Sequence, residues 1–181
     1  VTSVVEAKSL ARDLLAEELP RRWAHTRGVA AQARRLAPGL GADAEVVEAA
    51  AWLHDIGYAS KVAASGFHPL DGARYLRETR RADEIVCRLV AHHTCAVIEA
   101  RERGIGALLD EFAVPNRQLL DALTYCDLTA DVDGRTVAVE ERLGEILRRY
   151  PPDHVVHRSI RRARPCLLRA ASDVRRRLAD F

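Results

Sequence analysis

The segment Ala49-Ala50-Ala51-Trp52-Leu53-His54-Asp55-Ile56-Gly57 ends an apolar run with an adjacent imidazole and carboxylate. Successive helical residues project about 100° apart. Both side chains can therefore serve one metal ion only near a helix end, where the geometry loosens, or with the carboxylate bridging two ions. A charged Asp beside so apolar a face is costly unless it is paired. A solvated helix end would account for this dipeptide taken alone. Two further residues change its context. His25 sits within Trp23-Ala24-His25-Thr26-Arg27-Gly28-Val29-Ala30, and Asp127 follows Leu119, Leu120, Leu123 and Tyr125. Three separate helices thus offer a His, a His-Asp pair and an Asp. Two imidazoles and two carboxylates suit iron, manganese, zinc or cobalt better than calcium. Helical bundles commonly hold metals through side chains from facing helices.

With these residues in order, His25…His54-Asp55…Asp127, the chain resembles the HD superfamily of metal-dependent phosphohydrolases, whose pattern is H…HD…D. The stretch His54-Asp55-Ile56-Gly57 is similar to the H-D-I-G form of that motif. The likeness covers about residues 20 to 135. Two more histidine sites fall between the motif residues, at His68 and at the pair His92-His93. Dinuclear members extend the pattern to H…HD…H…H…D, and His68 and His93 match the inserted positions, with His92 as the alternative to His93. The resemblance implies that His25, His54, Asp55 and Asp127 hold a first metal, that Asp55 bridges, and that His68 and His93 hold a second. Two divalent transition-metal ions are the expected cofactors, iron or manganese favoured, with zinc, cobalt and nickel also accepted by such ligands.

The expected reaction is attack of water on phosphorus in a phosphate ester or nucleotide. Three polar residues near the motif are candidates to assist it. Lys61, in the loop leaving the motif helix, could reach a phosphate. Asp71, in the turn after His68, could orient a ligand histidine or act as an acid or base. Arg135, after Asp131-Val132-Asp133-Gly134, could clamp a phosphate oxygen. The matches His68…Gly72-Ala73 and His93-Thr94 look like small bacterial nucleoside-polyphosphate hydrolases. The surroundings of Asp127 and the basic C-terminal stretch depart from them. A G-Y-P signature is missing after His92-His93, where Thr94-Cys95-Ala96 stands instead, which disfavours cyclic dinucleotide cleavage. The same ligands also occur in mixed-valent di-iron oxygenases of the superfamily, and a metal- or nucleotide-binding module without turnover is the non-enzyme alternative.

The elements that must position these residues read as helices throughout. Apolar residues at helical spacing predict helices over about Ser3–Glu18, Arg21–Leu36, a segment capped by Asp43 and ended by Gly57, Pro69–Arg77, Ala82–His93, Ile98–Arg103, Asn116–Asp127 and Val139–Arg149. Pro38-Gly39 and Pro151-Pro152 are the expected stops. No segment alternates with a period of two. The expectation is an all-α, single-domain bundle of about eight helices over residues 1–181, with a motif core at about 20–135 and a helical extension at about 136–181. The C-terminal arginines, Arg158 to Arg177, suggest either an acidic-ligand surface or a solvated helix face carried by Leu167, Leu168 and Leu178. The second fits better, because no aromatics interleave the arginines.

At 181 residues the chain can bury a substantial core. Apolar residues make up 48% and charged residues 30%, which is globular composition. The net charge of +2 is too even to argue for a nucleic-acid partner. Four scattered cysteines without a C-x-x-C pair fit reduced thiols in a cytoplasmic protein. No apolar run approaches the roughly 20 residues of a membrane span, and no signal peptide is expected. The expected partner is a small phosphate or nucleotide substrate; oligomeric state is left open.

Overall fold

The computed structural model describes residues 2–80 and 82–179. Among them are nine α-helices and no strand longer than an isolated bridge between Ala130 and Thr136. The helices are α1 (Val4–Leu15), α2 (Pro20–Leu40), α3 (Ala44–Leu53), α4 (His68–Glu78), α5 (Glu84–His92), α6 (Ala96–Glu102), α7 (Arg117–Leu128), α8 (Val139–Arg149) and α9 (Val155–Ala179). No helix among the described residues is long and apolar enough to cross a membrane.

Local chemistry explains most boundaries. Ser3 and Glu6 cap each other's backbone at the start of α1. Pro20 opens α2 at a position where its missing N–H is harmless. Asn116 accepts from the Gln118 N–H at 2.7 Å and starts α7.

Two boundaries differ from the sequence reading. Helix α2 does not stop near Leu36 but continues to Leu40 with Pro38 inside its final stretch; Gly41, at φ +55°, ends it. Asp43 precedes α3, but its side chain caps nothing. A 3₁₀ turn over Gly41–Asp43 holds its backbone near helical angles rather than the extended ones an N-cap needs.

Helix α3 lies at the centre, packed against α1, α2, α5 and α7. Ala49, Ala50, Ala51 and Leu53 are fully buried on it. Its alanines let the neighbouring helices approach closely, which brings the end of α3 within reach of side chains from four other elements. A second apolar cluster, including Leu128, Leu143, Ile160 and Leu167, joins α7, α8 and α9. The arginines of α9 face mainly outward. Arg158 and Arg162 pair with Glu102, and Arg176 pairs with Asp173. Leu167 is buried beneath them, with Leu168 and Leu178 partly buried. This is the solvated helix face.

Candidate metal centre

Six polar side chains converge where α3 ends. His25 projects from the first half of α2 and Asp127 from the last turn of α7. His54 ends α3 with helical backbone angles, and the chain turns at Asp55 to φ −107°, ψ 5°. That break lets two adjacent residues face one space. His68 is the first residue of α4, and His93 follows α5 at φ −56°, ψ 151°.

The six form two groups whose donor atoms lie within 4.8 Å of one another: His25, His54 and Asp127 in one, Asp55, His68 and His93 in the other. Asp55 joins them. Its Oδ2 lies 3.3 Å from His54 Nε2 and 3.9 Å from His25 Nε2, while its Oδ1 lies 3.3 Å from His68 Nε2. His68 Nε2 and His93 Nε2 are 3.2 Å apart. Asp127 Oδ1 is 2.9 Å from His25 Nε2.

The imidazoles are oriented from behind. His25 Nδ1 donates to the Asp131 carbonyl at 2.9 Å, His54 Nδ1 to that of Ala51 at 2.8 Å, and His93 Nδ1 to that of Val90 at 2.7 Å. In neutral rings that places the Nε2 lone pairs inward, the arrangement seen when backbone carbonyls fix metal-ligating histidines. His54 Nε2 is buried and has no hydrogen-bond partner. The bare Nε2 of His25 faces an oxygen of Asp127 at 2.9 Å and that of His54 an oxygen of Asp55 at 3.3 Å. Such acceptor-to-acceptor contacts need a cation or an extra proton between them. The donor set therefore fits divalent metal ions.

Electrostatics agree. Burial opposes a charge on His54, but Asp55 and Asp127 outweigh it and push its pKa up to about 9. Burial is the main cause that holds His68 and His93 below the ordinary imidazole value; repulsion from His54 adds to it at His93, and at His68 repulsion from His93 and Arg22 adds to it against the pull of Asp55. Burial would raise Asp55, yet Arg22 and His54 hold it well below the carboxylate range; Asp127 is likewise held low, by His25 and His54.

Two side chains to which the sequence reading gave no role hold the carboxylates of the cluster. Arg22 Nη1 donates to Asp55 Oδ2 at 2.8 Å, and its guanidinium carbon lies 4.0 Å from the centre of the Tyr58 ring, which stacks on His68. Thr94 Oγ1 donates to Asp127 Oδ2 at 2.5 Å. Thr94 and Cys95 are both left-handed, at φ 50° and 57°, so the turn carrying His93 stores strain. The cavity over the cluster is walled further by Arg142, Arg149, Tyr150 and Ile160. Arg22, three residues before His25 on one helix face, had a legible spacing, and Thr94 stood in the His93-Thr94 match without a role assigned to it; the α8 arginines had no local signal.

Other expected assistants lie elsewhere. Lys61 is exposed in a turn and does not line the cavity. Arg135 is exposed and its side chain is not part of the cavity wall; its backbone N–H donates to Asp131 Oδ1 at 2.8 Å, and its carbonyl accepts from the Asp131 N–H at 2.9 Å. Asp71 is buried but turned toward the loop before α4. It accepts from the backbone N–H groups of Ala64, Ser65 and Gly66 and from the Ser65 hydroxyl. It anchors that loop and does not line the cavity over the cluster. His92 donates to the Phe112 carbonyl at 2.7 Å, lines a different recess, and lies outside the cluster that contains His93.

Comparison with known proteins supplies the remaining context. The chain is 37% identical over 87 residues to Ribonuclease Y of Rubrobacter xylanophilus, a match that covers 48% of this chain and 17% of that relative's length. No solved structure matches. Residues 22–128 match the HD domain family, whose members are generally metal-dependent phosphohydrolases. That match spans more than half of the sequence and contains all six clustered residues, so the chain belongs to the HD domain family.

Proposed function

We propose that this protein is a metal-dependent phosphohydrolase that cleaves a phosphate ester, such as a nucleotide, by attack of water on phosphorus. The observation that carries the reading is the division of the Asp55 carboxylate, one oxygen toward His25 and His54, the other toward His68. A carboxylate so placed would help hold two ions, one on each side. His25, His54 and Asp127 complete one site; His68 and His93 complete the other. Iron or manganese suits this mixture of imidazole and carboxylate, and zinc, cobalt or nickel would also be held.

When bound, such ions acidify water and polarise phosphoryl oxygens. The chain's own residues supply the rest. The carbonyls of Asp131, Ala51 and Val90 fix the imidazole tautomers. Thr94 and Arg22 fix the two carboxylates. The apolar wall from Leu128, Ile146 and Ile160 limits water around the reacting phosphate. In this reading the chain is one domain, the core at about 20–135 joined by an extension that closes the cavity. Four free cysteines fit a reducing, cytoplasmic setting. A small substrate fits the walled cavity better than a nucleic acid, although the name Ribonuclease Y denotes action on RNA for that relative.

The test is metal content per chain by plasma mass spectrometry on native protein and on Asp55→Ala, followed by phosphate-release screens in air and without oxygen. About two ions in the native protein, lost in the variant, with oxygen-independent phosphate release, is the expected result. Oxygen-dependent turnover without phosphate release would replace hydrolysis with the oxygenase chemistry of the superfamily. Tight nucleotide binding without turnover would leave a binding module.

A further inference from the structure

We propose that Arg142 and Arg149 of α8 form a second anion subsite beside the metal centre, so that the substrate carries a further phosphate besides the one that is cleaved. The inference rests on the hydrolase reading and narrows its substrate class.

Arg142 is only 5% exposed, yet its Nε has no hydrogen-bond partner. A buried guanidinium N–H without an acceptor is costly. The same side chain lines the cavity over the cluster and an adjoining recess shared with Arg22 and His25. Arg142, Ile146 and Arg149 recur at helical spacing on α8, and all three line that cavity. One face of α8 therefore meets the reacting space with two cations around an apolar residue.

Those cations are only half neutralised. Glu145 accepts from Arg142 Nη1 at 2.5 Å and also from Arg149. One carboxylate thus serves two guanidiniums, which leaves a unit of positive charge facing the cavity. Arg22 is already engaged by Asp55 at 2.8 Å. An oxyanion would meet the acceptor demand on α8, and the planar guanidinium fork matches pairs of phosphate oxygens. Helix α8 lies beyond residues 22–128, the segment matched to the family. The chain's own extension, not the shared core, then sets the preference for a diphosphate or longer chain over a monophosphate.

Equilibrium calorimetry tests this with AMP and ADP as probes, on metal-loaded protein dialysed free of excess ion. Wild type should bind ADP about tenfold or more tightly than AMP, as charge-assisted hydrogen bonds to one more phosphate warrant. Arg149→Gln and Arg142→Gln should cut that advantage to about threefold or less, with AMP affinity changed by less than about threefold. Should Arg142→Gln fail to fold by circular dichroism, Arg142→Lys takes its place and should keep an intermediate advantage, since it retains charge but not the fork. Equal AMP and ADP binding in wild type, or variants that leave the ADP advantage intact, would overturn the subsite. The hydrolase reading fails separately, as an absence of phosphate release from any ester while the ADP advantage persists.

Discussion

A Cβ placed on Gly57 would stand 2.0 Å from the carbonyl oxygen of His68. The backbone that leaves the His54-Asp55 pair runs directly against the start of α4, and that contact is what brings His68 Nε2 to 3.3 Å from Asp55 Oδ1. Glycine is needed here for close approach rather than for an unusual φ. Gly57→Ala must push α4 away from the α3 end. The expected outcome is a destabilisation of about 1–3 kcal/mol or more, as for overpacked cores, with loss of the ion held by His68 and His93. Urea denaturation and metal content measure the two effects; a wild-type midpoint with two ions per chain would refute the contact's importance.

Metal stoichiometry should also separate the two halves of the cluster. Asp55 is grouped with His68 and His93, and its other oxygen approaches His54 and His25 of the second group. Asp55→Asn should therefore lose both ions, His68→Ala one, and His25→Ala the other. Ion binding to the folded state alone stabilises it by mass action, about 4 kcal/mol at a thousandfold excess over Kd. Chelation of the wild type should accordingly lower its melting temperature clearly, while Asp55→Asn should be indifferent to chelator. Parallel responses of both proteins would count against the site.

A third expectation concerns Asp71. Its carboxylate holds three backbone N–H groups and a hydroxyl of the 64–66 loop, all away from the cavity. Removing it leaves those donors to find other acceptors. Asp71→Ala should lose about 2–4 kcal/mol of unfolding free energy yet retain metal at temperatures where it is folded. Full stability with loss of turnover would instead restore a chemical role.

Much of the centre was legible because its chemistry contradicts its surroundings. His54, Asp55 and Asp127 stand at the ends of apolar helices, and a polar residue there needs a partner. His68 and His93 were reached through the resemblance, and only the fold separates His93 from His92, since the chain turns sharply at Thr94. Arg142 and Arg149 were not legible. They lie on a helix expected from its apolar spacing alone, and nothing in that spacing tells that α8 folds over residues more than 80 positions earlier. Lys61, Asp71 and Arg135 were nominated by proximity in sequence to the motif, but a loop can turn its side chains away from the site it leaves. Pro38 failed as a helix stop because a proline near a helix C-terminus forfeits a single hydrogen bond.

The pairing on α8 gives a pH dependence with a definite sign. Burial raises the Glu145 carboxyl, but the hydrogen bond from Arg149 and the charge of Arg142 more than offset it, so its pKa lies below the ordinary 4.5. A carboxyl whose folded pKa is depressed contributes stability that is present above its unfolded pKa and lost as pH falls through the folded one. Glu145 is about a third exposed, so solvent screens the pair, and its contribution should be about 0.5–1 kcal/mol. Wild type should exceed Glu145→Gln in stability by that amount at pH 7. The difference should shrink as pH falls below about 4.5 and should also shrink in high salt. Urea titrations of both proteins from pH 7 to pH 3 read it directly. A difference that stays constant across that range would mean that Glu145 acts through packing, and the two arginines would then be less charge-balanced at neutral pH than the ion pairs imply.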